Sequence, residues 1–99
     1  MTEPAFLPGA REDYRDAYAW YHERGEHLAE SFESAIDQAL MRIAETPGRF
    51  GRYDARHRCF LLQRFPYSIV YRVEEVDRVL VVAVAHHRRQ PGYWQNRDD

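Results

Sequence analysis

Residues that bind phosphate or move protons crowd into one short stretch, Ala85-His86-His87-Arg88-Arg89-Gln90-Pro91-Gly92-Tyr93-Trp94. Histidine changes charge near neutral pH. The arginine fork matches phosphate and carboxylate oxygens, and tyrosine and tryptophan supply a hydroxyl and stacking faces. If these residues catalyse, His86, His87, Arg89 and Tyr93 form the acid, base and charge-stabilising set. If they only bind, Arg64, Arg72, Arg88, Arg89, Tyr93 and Trp94 are the candidate contacts. Each also has an ordinary structural role: His86 as the polar cap of a buried strand, the arginines as solvated charges, Pro91 to Trp94 as an aromatic plug on the core. Adjacent histidines on a strand point apart, so even with His57 and Asp54 they make a poor metal set. Neither metal nor cofactor is expected. Arg49, Arg52, Arg56 and Arg58 form a second basic cluster, either solvated or steering toward phosphate.

These groups sit on a chain large enough for one domain, residues 1–99, with one modest core. An apolar fraction of 44% and an aromatic fraction of 14% describe a folded protein. The lone cysteine, Cys59, excludes an internal disulfide and reads as a packed thiol in a reducing cytoplasm. No secretory signal is expected at Met1-Thr2-Glu3-Pro4, and no apolar run approaches the roughly 18 residues of a membrane span. The net charge of −2 hides a division. Residues 1–47 hold ten acidic residues against four arginines, giving −6; residues 48–99 hold ten arginines against six acidic residues, giving +4. The basic second half points to an anionic partner. All cations are arginine, and there is no lysine.

The elements that must position the cluster follow from periodicity. Phe6-Leu7 makes a short apolar start, broken by Pro8-Gly9. Ala10, Tyr14, Ala17, Tyr18 and Tyr21 repeat at helical spacing up to Arg24, with Glu12 and Asp13 in the first turn, where the helix dipole favours them. Gly25 ends this helix. Leu28, Phe32, Ala35, Ile36, Ala39, Leu40 and Ile43 form the stripe of a second helix, ended by Thr46-Pro47-Gly48. Tyr18, Trp20 and Tyr21 sit on consecutive helix faces, so one of them must be exposed or at an interface. Three strands follow: Arg58 to Arg64, Ser68 to Glu74, and Val79 to His86, the last two joined by a hairpin at Glu75-Val76-Asp77-Arg78. Alternation places Ile69, Tyr71 and Val73 against the helices and Ser68, Val70, Arg72 and Glu74 on the open face. The last strand is apolar on both faces, with Val79, Val81, Ala83 and Ala85 on one and Leu80, Val82 and Val84 on the other. Seven consecutive apolar residues, Val79 to Ala85, fit a strand buried on both faces. Helices cover one face, so the other should await a partner. The predicted class is α+β: a short N-terminal strand, an α-helical hairpin, then a three-stranded antiparallel meander, with the helices on one face of the sheet.

The order of landmarks carries a resemblance. Phe6-Leu7-Pro8, Ala10 to Asp13, Trp20-Tyr21, Ala39 to Ile43, Pro47, Arg64-Phe65-Pro66-Tyr67-Ser68-Ile69-Val70-Tyr71-Arg72, and Ala83 to His86 with Arg88 to Trp94 resemble the RelE/ParE superfamily. These are toxins of bacterial type II toxin–antitoxin, or plasmid stabilisation, systems. The resemblance spans nearly the whole chain and implies a small cytoplasmic toxin held inactive by a cognate antitoxin whose flexible segment covers apolar surface.

The branches of that superfamily differ in chemistry. RelE-like members cleave mRNA on the ribosome; ParE-like members poison DNA gyrase and have no established catalysis. RelE-like members carry arginine where Ser68 stands and use lysines, which this chain lacks. Their tyrosine falls on Tyr93 and one arginine on Arg89, while His87 stands in place of another arginine. Serine at position 68 cannot neutralise phosphate charge, a loss felt at the transition state. The His-Arg-Arg-Gln-Pro-Gly-Tyr-Trp ending and the Phe-Pro-Tyr before the middle strand resemble the ParE side. The resemblance therefore implies growth arrest through DNA gyrase. A ribosome-dependent endoribonuclease and a harmless, antitoxin-binding member are the alternatives.

Overall fold

A computed structural model describes residues 3–75 and 78–97. The elements run β1 (Ala5–Phe6), α1 (Pro8–Arg24), α2 (Glu26–Glu45), β2 (Arg58–Leu61), β3 (Tyr67–Glu74) and β4 (Arg78–His86). They build a four-stranded sheet of order β1-β4-β3-β2. β1 lies parallel to β4, and β2-β3-β4 form the antiparallel meander. The α+β class and element order match the sequence reading. Val76 and Asp77 of the expected hairpin lie outside the described residues.

Local departures have physical causes. Pro8-Gly9 does not separate strand from helix; α1 begins at Pro8. Proline at the first helical position loses no hydrogen bond, and its fixed φ suits the helix. Glu12 and Asp13 consequently fall beyond the first turn, and the dipole argument for them lapses. β2 stops at Leu61 because the chain must turn at once: the Leu62 N–H donates to the Tyr67 carbonyl at 3.0 Å. In β4 the strict alternation breaks. Val70 opposes Ala83 whereas Tyr71 opposes Val81, so Val82 is an extra bulged residue. Directly opposed residues share a face, so Ala83 and Ala85 line the face of Val70 and Ser68, while Val79 and Val81 line that of Tyr71 and Val73. The single-face grouping of those four residues does not hold, since one extra residue flips everything beyond it.

The helices bury Ala10, Ala17 and Tyr21 of α1 and Ala29, Phe32, Ile36, Ala39 and Ile43 of α2. Phe32, with no exposed surface, centres an aromatic cluster. Its ring lies 5.1 Å from Tyr21, 5.4 Å from Phe65 and 5.3 Å from Tyr67. Such edge and tilted contacts add to what burial alone contributes. Trp20 is the exposed member of its group, and the Arg24 guanidinium sits 3.5 Å above its ring. The far face of the sheet is less open than alternation implied. Val70 and Arg72 are buried, and Arg72 donates to the Arg97 carbonyl at 3.4 Å. The C-terminal turns thus fold back over this face, and buried Trp94 packs 4.8 Å from Tyr53 and from His57.

Candidate functional site

The sheet edge explains how the C-terminal cluster is held. β1 pairs with β4 only at Leu80 and Val81. Beyond it the backbone of β4 would be unpaired, which is costly when buried. Side chains cap it instead: Val84 donates its N–H to Asp13 Oδ2 at 3.1 Å, and Arg97 Nη1 donates to the Val82 carbonyl at 3.1 Å. Asp13 is a buried carboxylate at the centre of this arrangement. It also accepts from the Tyr93 hydroxyl at 3.1 Å and from Arg97 at 2.8 and 3.3 Å. The Arg89 guanidinium lies 3.7 Å from Asp13 and 3.8 Å above the Tyr93 ring. The hydrogen bond to Asp13 raises the Arg97 pKa above its ordinary value.

This network fixes the chemistry open to each candidate. Burial, with Asp13 beside it, pushes the Tyr93 pKa up to about 12. Its proton is committed to Asp13. His86 faces the helix side, its ring 4.9 Å from Tyr67, and its Nδ1 accepts the Arg88 N–H at 3.0 Å. Burial, then His87 and Arg88, lower its pKa below 6.5, which favours the neutral ring. His87 lies on the opposite face, where Nε2 and Ser68 Oγ approach to 3.0 Å. The two rings point to opposite faces of the sheet, although His86 borders both neighbouring hollows and His87 only the second. The first, about 360 Å³, includes Asp16, Trp20, His86 and Arg89; the second, about 430 Å³, includes Cys59, Leu61, Ser68 and His87.

The binding candidates divide similarly. Arg88 and Arg89 are exposed at the cluster. Arg64 is exposed but stands apart, beside a different hollow shared with Arg42 of α2. Arg72 is buried and paired with Glu74 at 2.9 Å, and Trp94 is a plug rather than a platform. Burial raises the pKa of Cys59, as expected of a packed thiol. Gly92 supports the tight turn with φ of 77°, a left-handed conformation open to glycine.

Asp13 and Arg97 were not among the sequence candidates. A signal existed for Asp13: it falls between Ala10 and Ala17 on the buried stripe of α1, where an unpaired carboxylate is not tolerated. Nothing local marks Arg97. Among the described residues, no helix is long and apolar enough to cross a membrane.

Comparison with known proteins agrees with this architecture. The family described as "ParE toxin of type II toxin-antitoxin system, parDE" matches residues 5–91. Among solved structures, a chain of the chromosomal ParDE toxin–antitoxin system from P. aeruginosa superposes with a TM-score of 0.74 at 19% identity, covering 87% of this chain and 96% of that one. No curated protein matches. The match spans β1 through the start of the C-terminal turns, and the chain belongs to the ParE toxin family of type II toxin–antitoxin systems.

Proposed function

We propose that this ParE-type toxin arrests growth by binding DNA gyrase, without catalysis of its own, and is neutralised by a cognate antitoxin. The commitment of Tyr93 carries the reading. A metal-independent ribonuclease needs an acid and a base that release and take protons near neutral pH. Here the tyrosine hydroxyl is bound to Asp13 with a pKa of about 12, and the two histidine rings make their contacts on opposite faces of the sheet. The exposed guanidinium groups of Arg88 and Arg89, held on this rigid edge, are the contacts for an acidic or phosphate-bearing surface. The remaining apolar groove around Leu61, which is 64% exposed, suits an antitoxin segment.

One contact favours a second reading, ribosome-dependent mRNA cleavage: the His87 Nε2 and Ser68 Oγ pair at 3.0 Å beside a basic surface. Induction of the chain in a bacterial host, with DNA, RNA and protein synthesis followed separately, discriminates them. Early loss of DNA synthesis with intact mRNA, unchanged by His87→Ala but lost with Arg88→Ala/Arg89→Ala, is expected. Early loss of protein synthesis with broken mRNA refutes the gyrase reading. No effect on any synthesis leaves the harmless antitoxin-binding member.

A further inference from the structure

The loop between α2 and β2 gathers positive charge. Residues 46–59 carry Arg49, Arg52, Arg56 and Arg58 against a single acidic residue, Asp54, in a chain of net charge −2. Arg52 and Arg58 oppose one another across an isolated antiparallel bridge. Directly opposed residues project to the same side, and like charges placed so repel. Arg58 Nη1 donates to the Phe50 carbonyl at 2.7 Å, and Arg52 Nη1 reaches the Ala55 carbonyl only at 3.5 Å. Neither forms an ion pair with an acidic group among the described residues. Each guanidinium has five N–H donors, so most of both forks remains available to a ligand.

With Arg56, His57 and Asp54 they line a hollow of about 270 Å³. Its carboxylate is already engaged. Asp54 accepts from the N–H of Arg56 and of His57 at 2.8 Å, from the His57 ring at 2.9 Å and from Gln95 at 3.3 Å. Burial works against its ionisation, but these hydrogen bonds prevail and hold its pKa at about 2. Asp54 therefore braces the loop from within instead of neutralising Arg52 and Arg58.

We propose that this hollow binds the phosphates of a nucleic-acid backbone, with Arg52 and Arg58 as the ligands. The arginine fork takes a phosphate through two parallel N–H bonds. A bound anion also removes the repulsion that the Arg52–Arg58 bridge builds in. The inference stands on the loop alone and does not depend on gyrase being the target.

The test is fluorescence anisotropy of the purified full chain with a labelled DNA duplex of about 20 base pairs at rising salt. Two phosphate contacts give a log–log salt slope of about −1.8, so affinity should fall roughly 12-fold between about 50 and 200 mM salt. Arg52→Gln should weaken binding and flatten the slope by about 0.9. Its weak hydrogen bond makes it the variant least prone to misfold, and circular dichroism checks that. Arg58→Lys, which keeps the charge and loses the fork, should weaken binding with the slope retained. Absence of binding at low salt overturns the proposal. So does binding indifferent to Arg52→Gln but abolished by Arg88→Gln/Arg89→Gln, which would move the site to the C-terminal cluster. Displacement by polyglutamate as readily as by unlabelled duplex at equal charge would assign the hollow to an acidic protein. Displacement by inorganic phosphate as readily as by duplex phosphate would assign it to the free ion. Either result also overturns the backbone assignment.

Discussion

Replacing Asp13 by asparagine keeps the shape of the side chain and removes its charge. The amide can accept from only one oxygen, and its NH₂ group then faces donors on Val84, Tyr93 or Arg97. Removing one partner of a buried ion pair costs about 3–5 kcal/mol, and an unsatisfied buried N–H such as that of Val84 adds about 1–3 kcal/mol. Arg97 retains 24% side-chain exposure, so water recovers part of its loss. The expected cost is therefore near the lower end, about 3 kcal/mol. For a domain of this length that lowers Tm by about 12–24 °C, a large share of a total stability of about 5–15 kcal/mol. Urea unfolding followed by circular dichroism measures the change. A double-mutant cycle with Arg97→Gln should return a coupling of about 1.5–3 kcal/mol. A cost below about 1 kcal/mol, or additive effects in the cycle, would refute the view that Asp13 holds the C-terminal turns to the edge of β4.

Two further outcomes follow from the same packing. Trp94→Ala removes a buried plug seated against Tyr53 and His57 and should cost about 3–5 kcal/mol. It should also raise binding of a hydrophobic dye as the sheet face is uncovered. Asp54, whose pKa is lowered from 3.8 to about 2, gives stability that is fully present above pH 3.8 and is lost as pH falls toward 2. The difference in urea midpoint between the native chain and Asp54→Asn should therefore shrink across that window; a difference constant with pH would refute the assignment.

Much of this architecture was legible because it is written in short-range periodicity. The helical stripes around Phe32 and Ile36, the strand alternation through Ile69 and Tyr71, and the opposed directions of His86 and His87 all follow from side-chain spacing along one element. The exposed position of one aromatic among Tyr18, Trp20 and Tyr21 follows from the same rule. The Val82 bulge was not legible, because an extra residue in the valine and alanine stretch from Val81 to Ala85 changes no local preference and is set by the partner strand.

The C-terminal cluster lay open in the sequence as composition but not as an arrangement. Residue types and order alone determined the α+β class, the family and the stretch from His86 to Trp94 as the place where polar groups gather. Only the tertiary structure decided what those groups are free to do. Asp13 meets Val84, Tyr93 and Arg97 across separations of 71, 80 and 84 residues. Bonds between groups so distant along the chain arise from the short reach of β1, which leaves the edge of β4 to be capped by whichever side chains the fold brings there.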